Sequence, residues 1–349
     1  MRRLPVFFVL DCSESMVGES LRKMEEGLQS VIRTLRADPH ALESVYVSVI
    51  AFAGIAKTIV PLVEVVSFYS PKLPLGSGTN IGAALDALMH EIDKSVVKTT
   101  IDKKGDWKPI VYFFTDGRPT DNPSASIIRW QKEYQQKTKL IAISLGKNAD
   151  FNVLKKMSEN VIVFEEVKDG DFKKFTDWIS ASVVAQSKSV NDNLEPAPLS
   201  KLDETILRIV KEPLETVDES CVTIVGRCSK TSNPYILRYD REVKPVSTRD
   251  FKMDFSAYLF GGCYLIDESY FEWSDNRPLS TSVNTSSLVG GSGCPHCGNI
   301  SAFAVCGCTK LLCVNGPGEV ECPWCKTKVS FGLGPSSSEG GFDVSRGRG

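Results

Sequence analysis

Residues 4–15 read LPVFFVLDCSES, an apolar run that stops at Asp11 and passes into Asp11-Cys12-Ser13-Glu14-Ser15. Val6 to Leu10 has no polar alternation, which predicts a strand buried on both faces rather than one with a wet side. Asp11 closes that strand, and Ser13 and Ser15 follow at alternate positions. Their oxygens can converge on one point in a turn, while Cys12 points away. Leu21, Met24, Leu28, Val31, Ile32 and Leu35 then recur at helical spacing, which predicts a helix over 21–35.

The same alternation continues downstream. Strands are expected at Val45 to Ala53, Thr58 to Val65, Ile110 to Thr115, Lys139 to Leu145 and Val161 to Phe164. Helices are expected from Asn80 to Ile92, Ala125 to Gln136 and Phe172 to Ala185. Apolar strands alternating with amphipathic helices define an α/β class: a doubly wound, mostly parallel sheet over residues 1–187 with helices on both faces. Ligands of such sheets bind beyond the carboxyl ends of the strands.

A chain of 349 residues is too long for one ordinary core, and 42% hydrophobic with 24% charged residues is globular usage. A net charge of -2 supplies no global field toward nucleic acid or membrane. The apolar run after Met1-Arg2-Arg3 is short, ends at Asp11 and has no small-residue cleavage site behind it, so it is not read as a secretory signal. A reducing cytoplasm is the expected compartment. Residues 188–204, with Pro196 and Pro198, are expected to be a linker. A short helical piece is expected at Leu202 to Val210, and residues 205–331 form a smaller β-rich domain with antiparallel strands at Cys221 to Val225, Tyr235 to Tyr239, Phe255 to Leu259 and Cys263 to Ile266. Residues 280–293 read as a loop and 332–349 as a disordered tail, because they offer almost nothing to bury.

Two further turns complete the first constellation. Gly76-Ser77-Gly78-Thr79-Asn80 places Thr79 just before a helix, and Thr115-Asp116-Gly117 ends another strand with an acid. Carboxylate and hydroxyl oxygens, without His or Cys, suit a hard octahedral cation such as Mg²⁺. With Asp11 and Asp116 as the protein's anions, such an ion remains partly uncompensated and can accept an Asp or Glu from a protein partner. The simpler reading makes Ser13, Ser15 and Thr79 helix caps, which leaves the two strand-end acids unexplained. Asp121 reads either as a second-layer carboxylate or as a turn former, and Arg118 as a rim or solvent-facing charge. Asp11, Ser13, Ser15, Thr79 and Asp116, in this order, resemble the metal-ion-dependent adhesion site of von Willebrand factor type A domains. That resemblance spans roughly residues 4–187 and implies a Mg²⁺ or Mn²⁺ site that docks acidic protein groups.

Of eleven cysteines, seven lie between residues 294 and 325. Cys294-Pro-His-Cys297 and Cys322-Pro-Trp-Cys325 are two knuckles, which together make one Cys₄ zinc site. Cys306, Cys308 and Cys313 fall in an expected strand-turn-strand between them, with Cys306 and Cys308 on one strand face. With His296 they supply a possible second zinc site; ligand sharing in which Cys308 and Cys313 partner the first knuckle is a further possibility. Cys12, Cys221, Cys228 and Cys263 are scattered and read as small buried hydrophobes. The zinc module, a ribbon over 290–331, is expected to be structural. Lys310, Lys326 and Lys328 leave nucleic-acid binding as the alternative.

A type A domain followed by these knuckles, by Cys306-Gly-Cys308 and Cys313, and preceded by Tyr270-Phe-Glu-Trp-Ser274, is similar to the TerY proteins of tellurite resistance and stress response. The resemblance implies a TerY-C metal-binding domain and partnership with a protein kinase and a metal-dependent Ser/Thr phosphatase. No enzyme signature appears. Ser13 stands where haloacid-dehalogenase phosphatases need a second acid, and His40, His90 and His296 adjoin no nucleophile; His40 is expected in a turn. A non-catalytic adaptor is the expected function.

Overall fold

The computed structural model describes residues 2–102, 104–146, 149–165, 170–191, 207–209, 221–247, 252–275, 282–332 and 341–347. The chain divides into two units, Met1–Pro74 with Thr79–Val217 and Leu75–Gly78 with Asp218–Gly349.

The first unit contains β1 (Leu4–Asp11), α1 (Glu19–Ala37), α2 (Pro39–Ser44), β2 (Val45–Phe52), β3 (Ala56–Glu64), α3 (Ile81–Ser95), β4 (Ile110–Thr115), α4 (Ser124–Glu133), β5 (Lys139–Leu145), α5 (Phe151–Met157), β6 (Asn160–Phe164), α6 (Asp171–Asn191) and β7 (Leu207–Ile209). They form one sheet in the order β3-β2-β1-β4-β5-β6-β7. The five inner strands are parallel, and β3 and β7 run antiparallel at the edges. Every residue of β1 and β4 is buried, as their unbroken apolar sequences require. Phe7 and Val9 pack with α3, α4 and α5 on one face. Phe8 and Leu10 face α1 and α6 on the other. Strand order reverses between β1 and β4, so the carboxyl ends of these two strands flank the crevice of a doubly wound sheet.

Several expectations are corrected. Helices α2 and α5 are too short to show periodicity, but each starts on an aspartate. Asp38 Oδ1 accepts from Ala41 N–H, and Asp150 Oδ1 from Asn152 and Val153 N–H. His40 therefore lies in a helix rather than a turn. Helix α6 continues through 188–191, so the expected linker begins too early; its residues 192–204 fall outside the described residues. The helical piece expected at 202–210 is a strand where it is described, because Leu207–Ile209 finds the open edge of β6. That pairing also carries the first unit past the boundary placed at 205.

The second unit contains β8 (Cys221–Arg227), β9 (Pro234–Ser247), β10 (Lys252–Leu265), α7 (Ser269–Trp273), β11 (Ser282–Asn284), β12 (Leu288–Val289), β13 (Ser301–Val305), β14 (Leu311–Val314), β15 (Gly318–Glu321), β16 (Lys328–Phe331) and β17 (Asp343–Ser345). Six strands make a mixed sheet in the order β12-β10-β9-β8-β14-β13. Strand β10 is one element where the sequence suggests two, because a register shift between Phe260 and Gly262 breaks its alternation. The hairpin β15–β16 is a separate two-stranded sheet.

The expected loop at 280–293 contains β11 and β12. The expected disordered tail is ordered over residues 341–347. Val344 is only 2% exposed, opposite Val283 in the β11–β17 pair, and Gly347 N–H donates to Thr223 O at 2.8 Å. Average composition conceals this, because one well-placed apolar residue and a pairing strand suffice to hold a short segment. Among the described residues no helix is long and apolar enough to cross a membrane.

Candidate metal-binding sites

Asp11 leaves β1 fully buried, and its turn is built from its own carboxylate. Oδ1 accepts from Ser13 N–H at 2.9 Å and Oδ2 from the Thr115 hydroxyl at 2.6 Å. Cys12 N–H donates to Phe52 O at 2.7 Å, which fastens the turn to β2, and the buried Cys12 thiol lies 3.6 Å from Leu10 O. Ser13 Oγ and Ser15 Oγ lie 3.0 Å apart, and Ser15 Oγ donates to Asp116 Oδ1 at 2.9 Å. Four of the five expected ligands thus form one hydrogen-bonded chain across the ends of β1 and β4.

Thr79 arrives from the loop before α3. Its backbone is pinned to Thr120, whose hydroxyl accepts from Thr79 N–H at 2.8 Å and whose N–H donates to Thr79 O at 3.0 Å. A methyl group built on Gly117 would lie 3.3 Å from Thr79 Oγ1, so the hydroxyl faces the turn that follows Asp116. Thr79 Oγ1 is buried and has no hydrogen-bond partner.

Helix capping does not account for these hydroxyls. Ser13 precedes a short 3-10 turn without a side-chain cap bond, and the cap residue of α3 is Asn80. The orphan N–H groups of α3 are taken by Asp121, whose Oδ2 accepts from Gly82 and Ala83 at 2.8 and 3.3 Å. Glycine at 82 permits this approach, since a methyl group there would meet Asp121 Oδ2 at 2.7 Å. Asp121 therefore serves the terminus of α3, a role that neither of its sequence readings gave. Arg118 is exposed on the same turn.

The electrostatics also favour a cation. Burial, and then the charge of Asp116, push the Asp11 carboxyl up to about 7 against the hydrogen bonds from Thr115 and Ser13. Two acids at neighbouring strand ends and an unpartnered buried hydroxyl facing the turn after one of them match a hard metal ion's donor set.

The cysteines are grouped differently from the sequence expectation. One cluster is Cys228, Cys294, Cys297 and Cys313; the other is Cys306, Cys308, Cys322 and Cys325. In each, all four sulfurs lie within 4.8 Å of one another. The two knuckles therefore do not share an ion: Cys294 and Cys297 belong to one cluster, Cys322 and Cys325 to the other. His296 belongs to neither cluster, and its Nε2 lies 2.9 Å from Pro234 O. Cys313 goes with the first knuckle, but Cys308 goes with the second.

Cys228 is the ligand that sequence reasoning missed. It closes the β8–β9 turn, 66 positions before its nearest partner in the chain, with no second cysteine beside it. Cys306 and Cys308 also lie in a turn, between β13 and β14, rather than on a strand.

The turns share one construction. Ser232 N–H returns to Cys228 O, Gly298 N–H to Cys294 O and Lys326 N–H to Cys322 O, at 2.8, 3.0 and 2.9 Å. In the fourth, Thr309 N–H returns to Cys306 O at 2.8 Å. Ser232, Thr309 and Lys326 have φ of 61°, 65° and 61°, and among the described residues they are the only non-glycine residues with positive φ. Left-handed backbone is unfavourable for such side chains and persists where surrounding structure enforces it. Each cluster combines one knuckle with one hairpin turn, and the Cys228 cluster adds Cys313 from β14.

The sulfurs are spaced for metal. Tetrahedral thiolates around an ion bound at about 2.3 Å lie about 3.8 Å apart. Cys297 and Cys313 are 3.7 Å apart, Cys306 and Cys325 3.7 Å, and Cys308 and Cys322 3.8 Å. Cys313 Sγ accepts from Ser229 N–H at 3.2 Å and from Asn299 Nδ2 at 3.3 Å. Burial opposes ionisation of Cys228, yet hydrogen bonds from Thr231 and Lys230 bring it down to about 6. Bonds from Thr327 bring Cys325 down to about 6. Burial pushes Cys294, Cys297, Cys308 and Cys322 up, so an ion's charge is what would hold all four sulfurs of a cluster as the thiolates that bind metal.

Fold and sites together define a type A domain with a metal-ion-dependent adhesion-type site, followed by a cysteine-rich metal-binding domain. The von Willebrand factor type A domain family matches residues 6–178, and the TerY-C metal binding domain family matches residues 218–349. The chain has the TerY-like architecture.

Similar solved structures include proximal thread matrix protein 1 from the mussel byssus, at 15% identity over 52% of this chain and 48% of that one, with a TM-score of 0.38. A second structure of that byssus protein, with a zinc-occupied MIDAS motif, is 17% identical over 52% and 45%, with a TM-score of 0.35. A von Willebrand factor type A protein from Catenulispora acidiphila is 13% identical over 81% and 61%, with a TM-score of 0.43. The chain spans about half the length of the byssus protein.

Proposed function

We propose that this chain is a non-catalytic cytoplasmic adaptor that captures an acidic group of a protein partner through Mg²⁺ at the Asp11 site. The carrying observation is the buried, unpartnered Thr79 hydroxyl facing the turn after Asp116, with Asp11 at the neighbouring strand end. Asp11, Ser13, Ser15, Thr79 and Asp116 would hold the ion. When bound it supplies positive charge that two carboxylates leave partly uncompensated, and a partner's Asp or Glu completes the neutralisation.

Each cysteine cluster would hold one Zn²⁺. Four thiolates leave no open position on the ion for substrate or an activated water, so each ion would cross-link the chain rather than catalyse a reaction. The TerY-like architecture suggests tellurite resistance or stress response as the setting, with a protein kinase and a metal-dependent Ser/Thr phosphatase as partners.

The test is capture from cell extract with and without Mg²⁺, read by mass spectrometry. Wild-type chain is expected to retain a protein set in Mg²⁺ that Asp11→Ala loses, while zinc content and circular dichroism stay unchanged. Retention of the same set by Asp11→Ala, or by wild type after Mg²⁺ removal, refutes the docking mechanism.

A further inference from the structure

The two cysteine clusters differ in ways that a shared ligand type conceals. In the Cys228 cluster three of four cysteines are buried, with Cys228 and Cys313 at 0% exposure and Cys294 at 4%. Its ligands come from the β8–β9 turn, the first knuckle and β14, so they tie together segments 85 positions apart, from Cys228 to Cys313. The same side chains belong to the hydrophobic core of the six-stranded sheet, among Val222, Ile224, Tyr235 and Leu311. Asn299 and Ser229 cover the Cys313 sulfur.

The other cluster draws all its ligands from residues 306–325. Cys325 is exposed and Cys308 half-buried. It anchors the β15–β16 hairpin, which pairs with no other strand among the described residues. Trp324, adjacent to Cys325, carries Arg227 and Lys310 over its ring at 4.7 and 5.5 Å, and Arg227 is paired with Glu268.

We infer that the Cys306/Cys308/Cys322/Cys325 centre is a reactive site for hydroperoxides, while the Cys228 centre is an inert structural one. This rests on the reading that each cluster holds one zinc. An exposed thiolate can be reached by a small oxidant, and a buried, hydrogen-bonded one cannot. The Cys325 sulfur attacks the peroxide: an S–O bond forms, the O–O bond breaks, and the departing hydroxide takes a proton to become water. The Cys306 thiolate, 3.7 Å away, then attacks that sulfur; an S–S bond forms and a second hydroxide leaves as water. Two thiolates, one hydrogen peroxide and two protons thus give one disulfide and two waters. With two of four ligands oxidised, the centre loses its hold on the ion and the hairpin is released, while the six-stranded sheet keeps its own cross-link.

The test uses the full chain. Its zinc content is measured first, then hydrogen peroxide is added with a chromogenic zinc chelator present. Two ions per chain are expected, one of them released at least tenfold faster than the other. Peptide mapping is expected to place the disulfide at Cys306–Cys325, and hydrogen exchange to rise at 315–331 but not in β8 or β9. Cys325→His keeps a fourth ligand without the attacking sulfur and is expected to abolish the fast phase.

Fewer than two ions at the start refutes the two-zinc reading and the inference with it. Two ions released at equal rates, first oxidation at Cys228, Cys294, Cys297 or Cys313, or an unchanged fast phase in Cys325→His overturns the inference alone.

Discussion

Thr79 separates a metal site from a set of helix caps. A hydroxyl buried without a partner costs about 1–3 kcal/mol, and here nothing in the protein offsets it. Thr79→Val, which keeps the shape and removes the oxygen, is therefore expected to stabilise the cation-free chain by about 1 kcal/mol and to abolish the thermal shift produced by Mg²⁺. Differential scanning calorimetry with and without Mg²⁺ reads both effects. Asp11 gives the site a pH dependence. Its folded carboxyl is pushed up to about 7 from an ordinary 3.8, so the folded state binds more protons than the unfolded one between these values. Stability without divalent cation should fall as pH rises from about 4 to about 7. Mg²⁺ competes with that proton, so its stabilising effect should be larger at pH 8 than at pH 6. An effect that shrinks with rising pH would mean that Asp11 does not face the ion. Asp11, Ser13, Ser15, Thr79 and Asp116 are legible in the sequence because each lies at the end of a strand or in a turn leading to a helix, where local geometry fixes its direction. The capping role of Asp121 is decided by α3, 39 positions from Gly82 in the chain.

The cysteine turns bring strain and metal ligation together. Lys326 and Gly298 occupy the same place in their two knuckles, at φ of 61° and 71°, yet only one is glycine. A left-handed residue with a Cβ costs about 1–2 kcal/mol, so Lys326→Gly should stabilise the second metal-binding unit by about 1 kcal/mol without changing its metal content. Denaturant titration and metal analysis check this, and a loss of stability would show that the Lys326 side chain has a role the backbone does not explain. Elements with strong local patterns, such as β1, α1, β4 and α6, could be read before any tertiary contact was known. The short helices α2 and α5 and the three-residue strands β7 and β17 could not. Their apolar content is too small to make a period, and each is held by a cap or by a strand edge supplied from elsewhere.

For the chain as a whole, the two units rest on different physics. The type A unit buries a large aromatic and aliphatic core, including Trp130, Tyr112, Phe7 and Phe113. The TerY-C unit sets all four cysteines of the Cys228 cluster, and Cys306, Cys308 and Cys322 of the other, in smaller cores. Structural zinc sites carry apparent binding energies of about 10–16 kcal/mol, against about 5–15 kcal/mol of stability for a typical domain. A zinc-selective chelator is therefore expected to unfold residues 221–347 and leave 4–191 folded, read by hydrogen exchange along the chain; protection that persists in both regions would refute the structural role. The division into an α/β sheet domain and a cysteine-rich domain, the five oxygen-bearing residues proposed to hold Mg²⁺ and seven of the eight clustered sulfurs follow from local order along the chain, because hydrophobic period and turn chemistry act over a few residues. Which sulfurs share an ion, the recruitment of Cys228, the exclusion of His296 and the burial of Val344 do not follow from it. Those depend on which strand ends the folded sheet brings within about 4 Å of one another, a distance that a metal–thiolate centre demands and that spacing along a chain does not encode.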